Sequence, residues 1–293
     1  MTTTAPRPDT VLIALAPAAF VFLWSTGFLG VKLGLPYAEP FTFLGIRFAI
    51  TTAILFAFAL ASGVRIPAQP TRVGHAMAAG AMLHFVYIGG VLGALLHGVS
   101  AGVVALVVGL QPLITAALVG RVLGERVRAV QWAGLVLGFI GVALVVYAKL
   151  AVADATVLGF GYCALGLAGI TAGTLYQKRF CAGDDLRSNL VIQLGTAAAL
   201  CFVCAGFGET FAVTWTGEFV FALLWLAIVV SIGAFTLLMV LLRRGAAARV
   251  TSMFYLTPPT TALLGWALFD ERLGPLALSG MALAVTGVAL VNR

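Results

Sequence analysis

Along most of this chain, charged residues occur only in short clusters separated by apolar runs of about 20 residues, the length that carries an α-helix across the hydrocarbon of a bilayer. Backbone in lipid must satisfy its own N–H and C=O groups, so runs of this length are expected to be helical. Ten are expected, near residues 11–33, 40–61, 74–96, 99–120, 130–148, 156–177, 187–207, 219–242, 248–269 and 275–291. Composition agrees: 62% of residues are hydrophobic and 9% charged, against about a quarter charged in soluble domains. The connections leave no room for a soluble domain. The expected fold class is all-α, a polytopic membrane protein with ten transmembrane helices. The polar stretch before Val11, with Pro6 and Pro8, leads into no short apolar region with a small-residue cleavage site, so the first helix is expected to stay.

The basic residues give an orientation. With the N-terminus inside, the inner segments hold Arg7, Arg65, Arg72, Arg121, Arg126, Arg128, Lys178, Arg179, Arg187, Arg243, Arg244, Arg249 and Arg293, and the outer ones hold Lys32, Lys149 and Arg272. Arg47 falls inside a span. This asymmetry predicts cytoplasmic N- and C-termini. It also makes the net charge of +7 a topology signal rather than a nucleic-acid patch. Cys163, Cys181, Cys201 and Cys204 have no histidine or second cysteine pair at metal-ligand spacing and read as packing residues. No phosphate loop, zinc set or nucleophile with a neighbouring base is legible. Neither an enzyme, a metal nor a cofactor is expected.

A second constraint is internal. Ala101–Tyr147 aligns without gaps on Ala247–Arg293, an offset of 146 residues, with 16 identities in 47 positions. Pro112 falls on Pro258, Thr115-Ala116 on Thr261-Ala262, Glu125-Arg126 on Glu271-Arg272, and the run Gly141–Val145 on Gly287–Val291. The same offset pairs Gly27 with Gly173 and Lys32 with Lys178. The chain therefore divides into two five-helix repeats, 1–148 and 149–293, within one membrane domain. Five is odd, so the copies should cross the membrane in opposite senses. Inverted repeats of this kind underlie many secondary transporters, because two pseudo-equivalent packings let one midplane site open to either side. A channel can be built in the same way.

With its paired P-x12-E-R segments, Trp24-Ser25-Thr26-Gly27 in the first span, Arg47-Phe48 in the second and the GVALV endings, the chain resembles the EamA branch of the drug/metabolite transporter superfamily over essentially its whole length. Within that branch it is similar to amino-acid exporters of the YddG type. The resemblance implies export of aromatic and other neutral amino acids across a bacterial inner membrane. Broad drug or metabolite efflux fits the same residues, and a channel or a scaffold without transport is the competing class.

Candidate residues follow from polarity inside apolar spans. Arg47 needs a partner or water at that depth and is expected to face the bundle interior, where it would either pair with backbone carbonyls or capture a substrate carboxylate; its repeat partner is Gln193. His84 is a buried hydrogen-bonding group on the substrate path or a histidine satisfied by a neighbouring helix. The acidic residues all fall at span ends or outside, so facilitated diffusion competes with proton coupling. The expected substrate-binding set is Trp24, Ser25, Thr26, His84, Tyr87, Tyr176, Gln193, Trp225 and Tyr255, with aromatic faces and polar edges around a small organic solute. His84 and Tyr87, three apart, should share a helix face. Gly27, Pro112, Gly173, Pro258 and Pro259 are the expected hinges, because proline in a span removes a backbone hydrogen bond; a static kink is the plainer role. Glu125, Arg126, Glu271 and Arg272 are expected to be structural, each carboxylate meeting a helix dipole and a neighbouring arginine. Gly134/Gly138 reads as packing within one chain or as a dimer face. The expected partners are a small-molecule substrate, amino acids or related metabolites, and membrane lipid; the chain is expected as a monomer or weak dimer without nucleic acid.

Overall fold

The computed structural model describes residues 8–64, 66–67, 69–99, 101–147, 156–269 and 274–293. Among them there is no β-sheet, only one isolated bridge between Ala38 and Val213. The helices are α1 (Pro8–Gly34), α2 (Pro40–Ala61), α3 (Pro70–Leu96), α4 (Ala101–Val108 continued by Gln111–Leu123), α5 (Ala129–Tyr147), α6 (Val157–Phe180), α7 (Leu186–Gly208), α8 (Gly217–Arg244), α9 (Ala247–Ser252 continued by Thr257–Phe269) and α10 (Pro275–Val291). Among the described residues, seven helices are long and apolar enough to cross a membrane by length and composition. Their ends are set by local chemistry. The side chains of Thr156, Asp185 and Thr216 accept the N–H groups of Gly159, Arg187 and Phe219 at the starts of α6, α7 and α8. Proline sits in the first turn of α2, α3 and α10, where no N–H is missed. Gly124 ends α4 at φ 70°, the left-handed conformation that lacks a penalty only for glycine.

Repeat-related helices pack against each other in opposite directions. A Cβ placed on Gly134 of α5 would lie 2.7 Å from the Gly287 carbonyl of α10, and one on Gly141 would lie 2.6 Å from the Gly280 carbonyl. Gly134 and Gly280 are 146 apart, and so are Gly141 and Gly287, so exchanging the halves turns one contact into the other. Both contacts need backbone-to-backbone approach that only glycine permits. The Gly134 face is thus used within the chain, and Gly138 closes on the ring of Tyr255. In the same antiparallel sense Gly45 of α2 meets Phe202 of α7, and Gly195 of α7 meets Thr52 of α2. The remaining large contacts exchange too: α3 packs on α6 as α8 packs on α1.

The central core gathers α1, α2, α3, α7 and α8 around Phe20, Trp24, Phe43, Phe48, Leu194 and Phe235. A second apolar cluster joins α4, α5, α9 and α10 at Ala116, Leu135, Val142, Tyr255 and Val291. Large apolar side chains also lie exposed on the outer faces, among them Phe58, Ile140, Leu165, Phe207 and Val285. Water would penalise that surface, whereas lipid matches it.

Several of the described basic residues cluster at one end. Lys178 Nζ lies 2.5 Å from Glu125 Oε1, and Glu125 Oε2 accepts the Ala247 N–H at 2.9 Å. Arg179 donates to the Val122 carbonyl at 2.8 Å, Arg243 to the Asp184 carbonyl, and Arg72 lies 3.7 Å from Asp184. Glu125 thus meets the N-terminus of α9, in the other half, instead of that of α5, which follows it in sequence, and its cation is Lys178 while Arg126 stays exposed. The second expected pair, Glu271 and Arg272, lies outside the described residues. At the opposite end Glu209 caps α2, accepting from the N–H groups of Phe41 at 2.7 Å and Thr42 at 2.6 Å. Tyr37 donates there to Glu218 at 2.6 Å, and that carboxylate's hydrogen bond holds the phenol above its ordinary pKa.

Candidate functional site

Helix geometry is irregular at matched places in the two halves. α3 widens into a π-helical segment at Ala81–Val86, and α8 does so at Trp225–Ala234; shifting the first by 146 residues lands it inside the second. In α4 the Leu110 N–H turns back to the Val107 carbonyl at 3.0 Å, an i−3 bond just before the second segment starts. Its counterpart in α9 is the 3-10 turn Met253–Leu256. The prolines explain where the restarts fall. Pro112 occupies the first turn of Gln111–Leu123, and Pro258-Pro259 the first turn of Thr257–Phe269. Proline is tolerated there because the first turn has no intrahelical acceptor for its missing N–H. The expected mid-span kinks are therefore interruptions that precede each proline. Neither π segment contains a proline, and π turns are frequent at functional sites.

His84 sits in the π segment of α3, buried, with neither ring nitrogen hydrogen-bonded. Its ring is 4.3 Å from that of Phe235 and 5.9 Å from that of Phe48. Phe235 in turn lies 4.8 Å from Trp24, which meets Phe254 edge-on at 5.0 Å. An aromatic path thus runs from α9 through α1 and α8 to α3 and α2. Arg47 is buried at the α2 end of the path, its Nε donating to Ser231 Oγ at 3.0 Å and its guanidinium 5.4 Å from the Phe48 ring. Gln193 lies beside His84. Its amide donates to Gln177 Oε1 at 2.7 Å and to Asn189 Oδ1, and its own Oε1 is unpartnered.

A second polar group lines α1, α4, α6 and α9. Gln111, Thr115, Thr171, Thr257 and Thr261 each hold a buried side-chain oxygen without a partner. Gln111 Nε2 reaches Thr174 Oγ1 only at 3.5 Å, and Ser25 Oγ donates to the Val21 carbonyl at 2.7 Å. Three repeat pairs stand out: Ser25 with Thr171, Gln111 with Thr257, and Thr115 with Thr261. Buried polar atoms in native proteins are nearly always paired, so the repeat-matched Gln111 and Thr257, and Thr115 and Thr261, are groups with hydrogen-bonding capacity to spare.

The other expected site residues distribute unevenly. Thr26 donates to the Leu23 carbonyl and accepts from Trp225 Nε1 at 3.1 Å, joining α1 to α8. Tyr87 is buried, but the π segment ends between it and His84, so the spacing of 3.6 residues per turn that put both on one face does not hold there. Tyr176 stands near the end of α6 and hydrogen-bonds His75 Nδ1 at 2.7 Å, apart from the aromatic path. Tyr255 is fully buried against Gly138 of α5, with its hydroxyl unpartnered. Of the hinge glycines, Gly27 has ordinary contact with Val230, whereas a Cβ on Gly173 would lie 2.7 Å from Leu83. Phe235, Ser231, Gln111 and Thr257 were missed. The last two were detectable, as polar positions 146 apart.

Such a bundle, lipid-compatible outside and with buried polar groups among antiparallel helices, is that of a polytopic helical membrane protein. Residues 11–147 and, again, 158–293 match the EamA-like transporter family, and the chain belongs to it. It is 28% identical to the uncharacterized transporter YvbV of Bacillus subtilis over 95% of this chain and 91% of the relative. To the uncharacterized inner membrane transporter YedA of Escherichia coli it is 26% identical, over 94% and 88% of the two chains. To the probable amino-acid metabolite efflux pump of Escherichia coli it is 26% identical, over 96% and 94%. A solved crystal structure shares the fold with a TM-score of 0.81 at 23% identity, covering 95% of this chain and 96% of that one.

Proposed function

We propose that this protein exports small neutral amino acids, aromatic ones included, across a bacterial inner membrane by alternating access between two inverted five-helix halves, all ten helices spanning and both termini cytoplasmic. The observation that carries the reading is the antiparallel pairing of repeat partners: α4 ends where α9 begins, at the Glu125–Ala247 hydrogen bond, and α5 meets α10 through exchange-related glycines. Two packings of nearly equal energy follow from that symmetry, and the paired π segments and helix restarts supply matched places for bending. The family's two matched stretches coincide with the two halves. Efflux and amino-acid chemistry are supported by the similarity to the probable amino-acid metabolite efflux pump of Escherichia coli, and the inner membrane by the similarity to the inner membrane transporter YedA.

The site favours the same solute. Arg47 and Ser231 offer donors to a carboxylate, the unpartnered nitrogens of His84 offer a neutral hydrogen bond, and Trp24, Phe235 and Phe254 offer an apolar wall to the side chain. Among the described residues the acidic side chains lie in connections or near helix ends, which favours carriage without a bound proton. The test is counterflow of labelled amino acids in proteoliposomes, with and without a pH gradient. Saturable, competed counterflow independent of the gradient is expected. Uptake of hydrophobic cations instead, linear flux, or no flux at all would overturn the substrate assignment, the carrier assignment or transport itself.

A further inference from the structure

At the Lys178 end Arg72, Lys178, Arg179, Arg187 and Arg243 are held by protein acceptors, whereas Arg244 and Arg249 are among the basic residues with no ion-pair partner among the described residues. They share one cavity. Its volume is about 390 Å³, and it lies between α1, α8, α9 and the end of α10. Ala16, Leu237, Val240, Leu241 and Met253 form apolar walls, while Arg244, Arg249 and Asn292 supply the polar part. Arg244 is exposed and Arg249 half-buried. The cavity thus carries two uncompensated guanidiniums beside a surface that water solvates poorly.

We propose that this cavity binds one anionic phospholipid, its phosphate held by Arg244 and Arg249 and the start of its acyl chains lying against Leu237, Val240 and Leu241. Guanidinium forks match phosphate oxygens in pairs and are weakly hydrated, which suits a phosphate at the edge of an apolar groove. A free phosphate satisfies the arginines and leaves the walls empty; a neutral lipid fills the walls and leaves two charges without a counter-ion. Only an anionic amphiphile complements both. Arg121 and Arg128 likewise lack an ion-pair partner among the described residues, and they do not line this cavity. The helices that form the cavity, α1, α8 and α9, also carry the aromatic path, so an occupant would bear on the packing of the transport site.

The test uses the full-length protein in micelles containing equal phosphatidylglycerol and phosphatidylcholine of the same chains, with bound lipid read by native mass spectrometry. Wild type is expected to retain phosphatidylglycerol in preference. The R244Q/R249Q variant should lose that preference by roughly 5-fold per arginine, the worth of one basic residue at an anionic surface. Val240→Trp, which fills the groove and keeps both charges, should also lose it, and carries the test if the glutamine variant does not fold. R121Q/R128Q should retain it. An unchanged preference in R244Q/R249Q or in Val240→Trp would overturn the site, as would an equal loss in R121Q/R128Q. Displacement of the lipid by tens of millimolar inorganic phosphate would mark a free-anion site and overturn the lipid assignment.

Discussion

Lys178 and Glu125, from opposite halves of the chain, form an ion pair at 2.5 Å in which each partner also binds the connection into α9. Lys178 donates to the Gly245 carbonyl and Glu125 accepts the Ala247 N–H. The two side chains are largely buried, so losing one strands the other with little water to replace it. Lys178→Met and Glu125→Gln are each expected to destabilise the protein by about 1–3 kcal/mol. The double variant should cost less than their sum, and a thermal double-mutant cycle in micelles measures the difference. Strict additivity would mean that the pair is not coupled.

The crossing of α5 and α10 makes a sharper prediction. A side chain at Gly141 or Gly280 meets backbone that cannot move aside, and Gly141→Val or Gly280→Val should destabilise by about 3 kcal/mol, with folded yield falling. Gly161, exposed on α6 with open space around it, is the control. Gly161→Ala should be neutral or stabilising by up to about 1 kcal/mol from helix propensity alone.

Orphan hydroxyls allow stability and transport to be separated. Thr115→Val and Thr261→Val keep the shape and remove an unpaired buried oxygen, a change that is neutral or stabilising by about 1–2 kcal/mol. Transport should fall in the same variants, because the removed groups are those that solute or water would satisfy. A higher melting temperature with reduced counterflow is the expected pairing; full transport in both variants would leave the hydroxyls without a role.

For Arg47 and His84 the readout is half-saturation in counterflow. Losing a hydrogen bond to a charged group corresponds to roughly a 10- to 100-fold weaker interaction. Arg47→Gln should fall in that range, with Arg47→Lys between it and wild type because the fork geometry is lost while the charge remains. His84→Ala should also raise half-saturation, by the same factor at each pH of a series across neutrality. Unchanged transport over that series would exclude His84 from the path.

One pH effect is expected at the surface. Hydrogen bonds from Arg187 hold the Asp185 carboxyl below its usual pKa, and this residue caps α7. A carboxylate with a lowered folded pKa stabilises the fold at neutral pH, and that contribution is lost as pH falls through its folded value, below 3.8. The pair is solvent-exposed, so the loss is small, under about 1 kcal/mol. Asp185→Ala should remove the acid-dependent part of α7 fraying, seen in amide exchange between pH 5 and 3.

How much of this was readable depends on what each residue answers to. The apolar runs lie within a few residues of the observed helices, because bilayer thickness and backbone hydrogen bonding leave no other solution for such a sequence. The self-similarity at an offset of 146 was equally legible, and with it the paired prolines and Thr115/Thr261, while Gln111/Thr257 went unread although the same offset matches it. Phe235 was not legible. Nothing in its neighbourhood distinguishes it from other phenylalanines, and its position between Trp24 and His84 exists only once α1, α3 and α8 are packed. Tyr176 is the opposite case, since an aromatic residue in an apolar span says nothing about which neighbour takes its hydroxyl, and His75 does so.

The sequence by itself determined the apolar helices and the self-similarity at an offset of 146 residues, because these depend on hydropathy and register along one chain. Only the tertiary structure decided that Glu125 pairs with Lys178 rather than Arg126, that Gly134 serves α10, and that the π segments interrupt α3 and α8 at matched places. Those outcomes rest on which helix faces come within a few ångströms of each other, a property of the packed bundle that no single segment encodes.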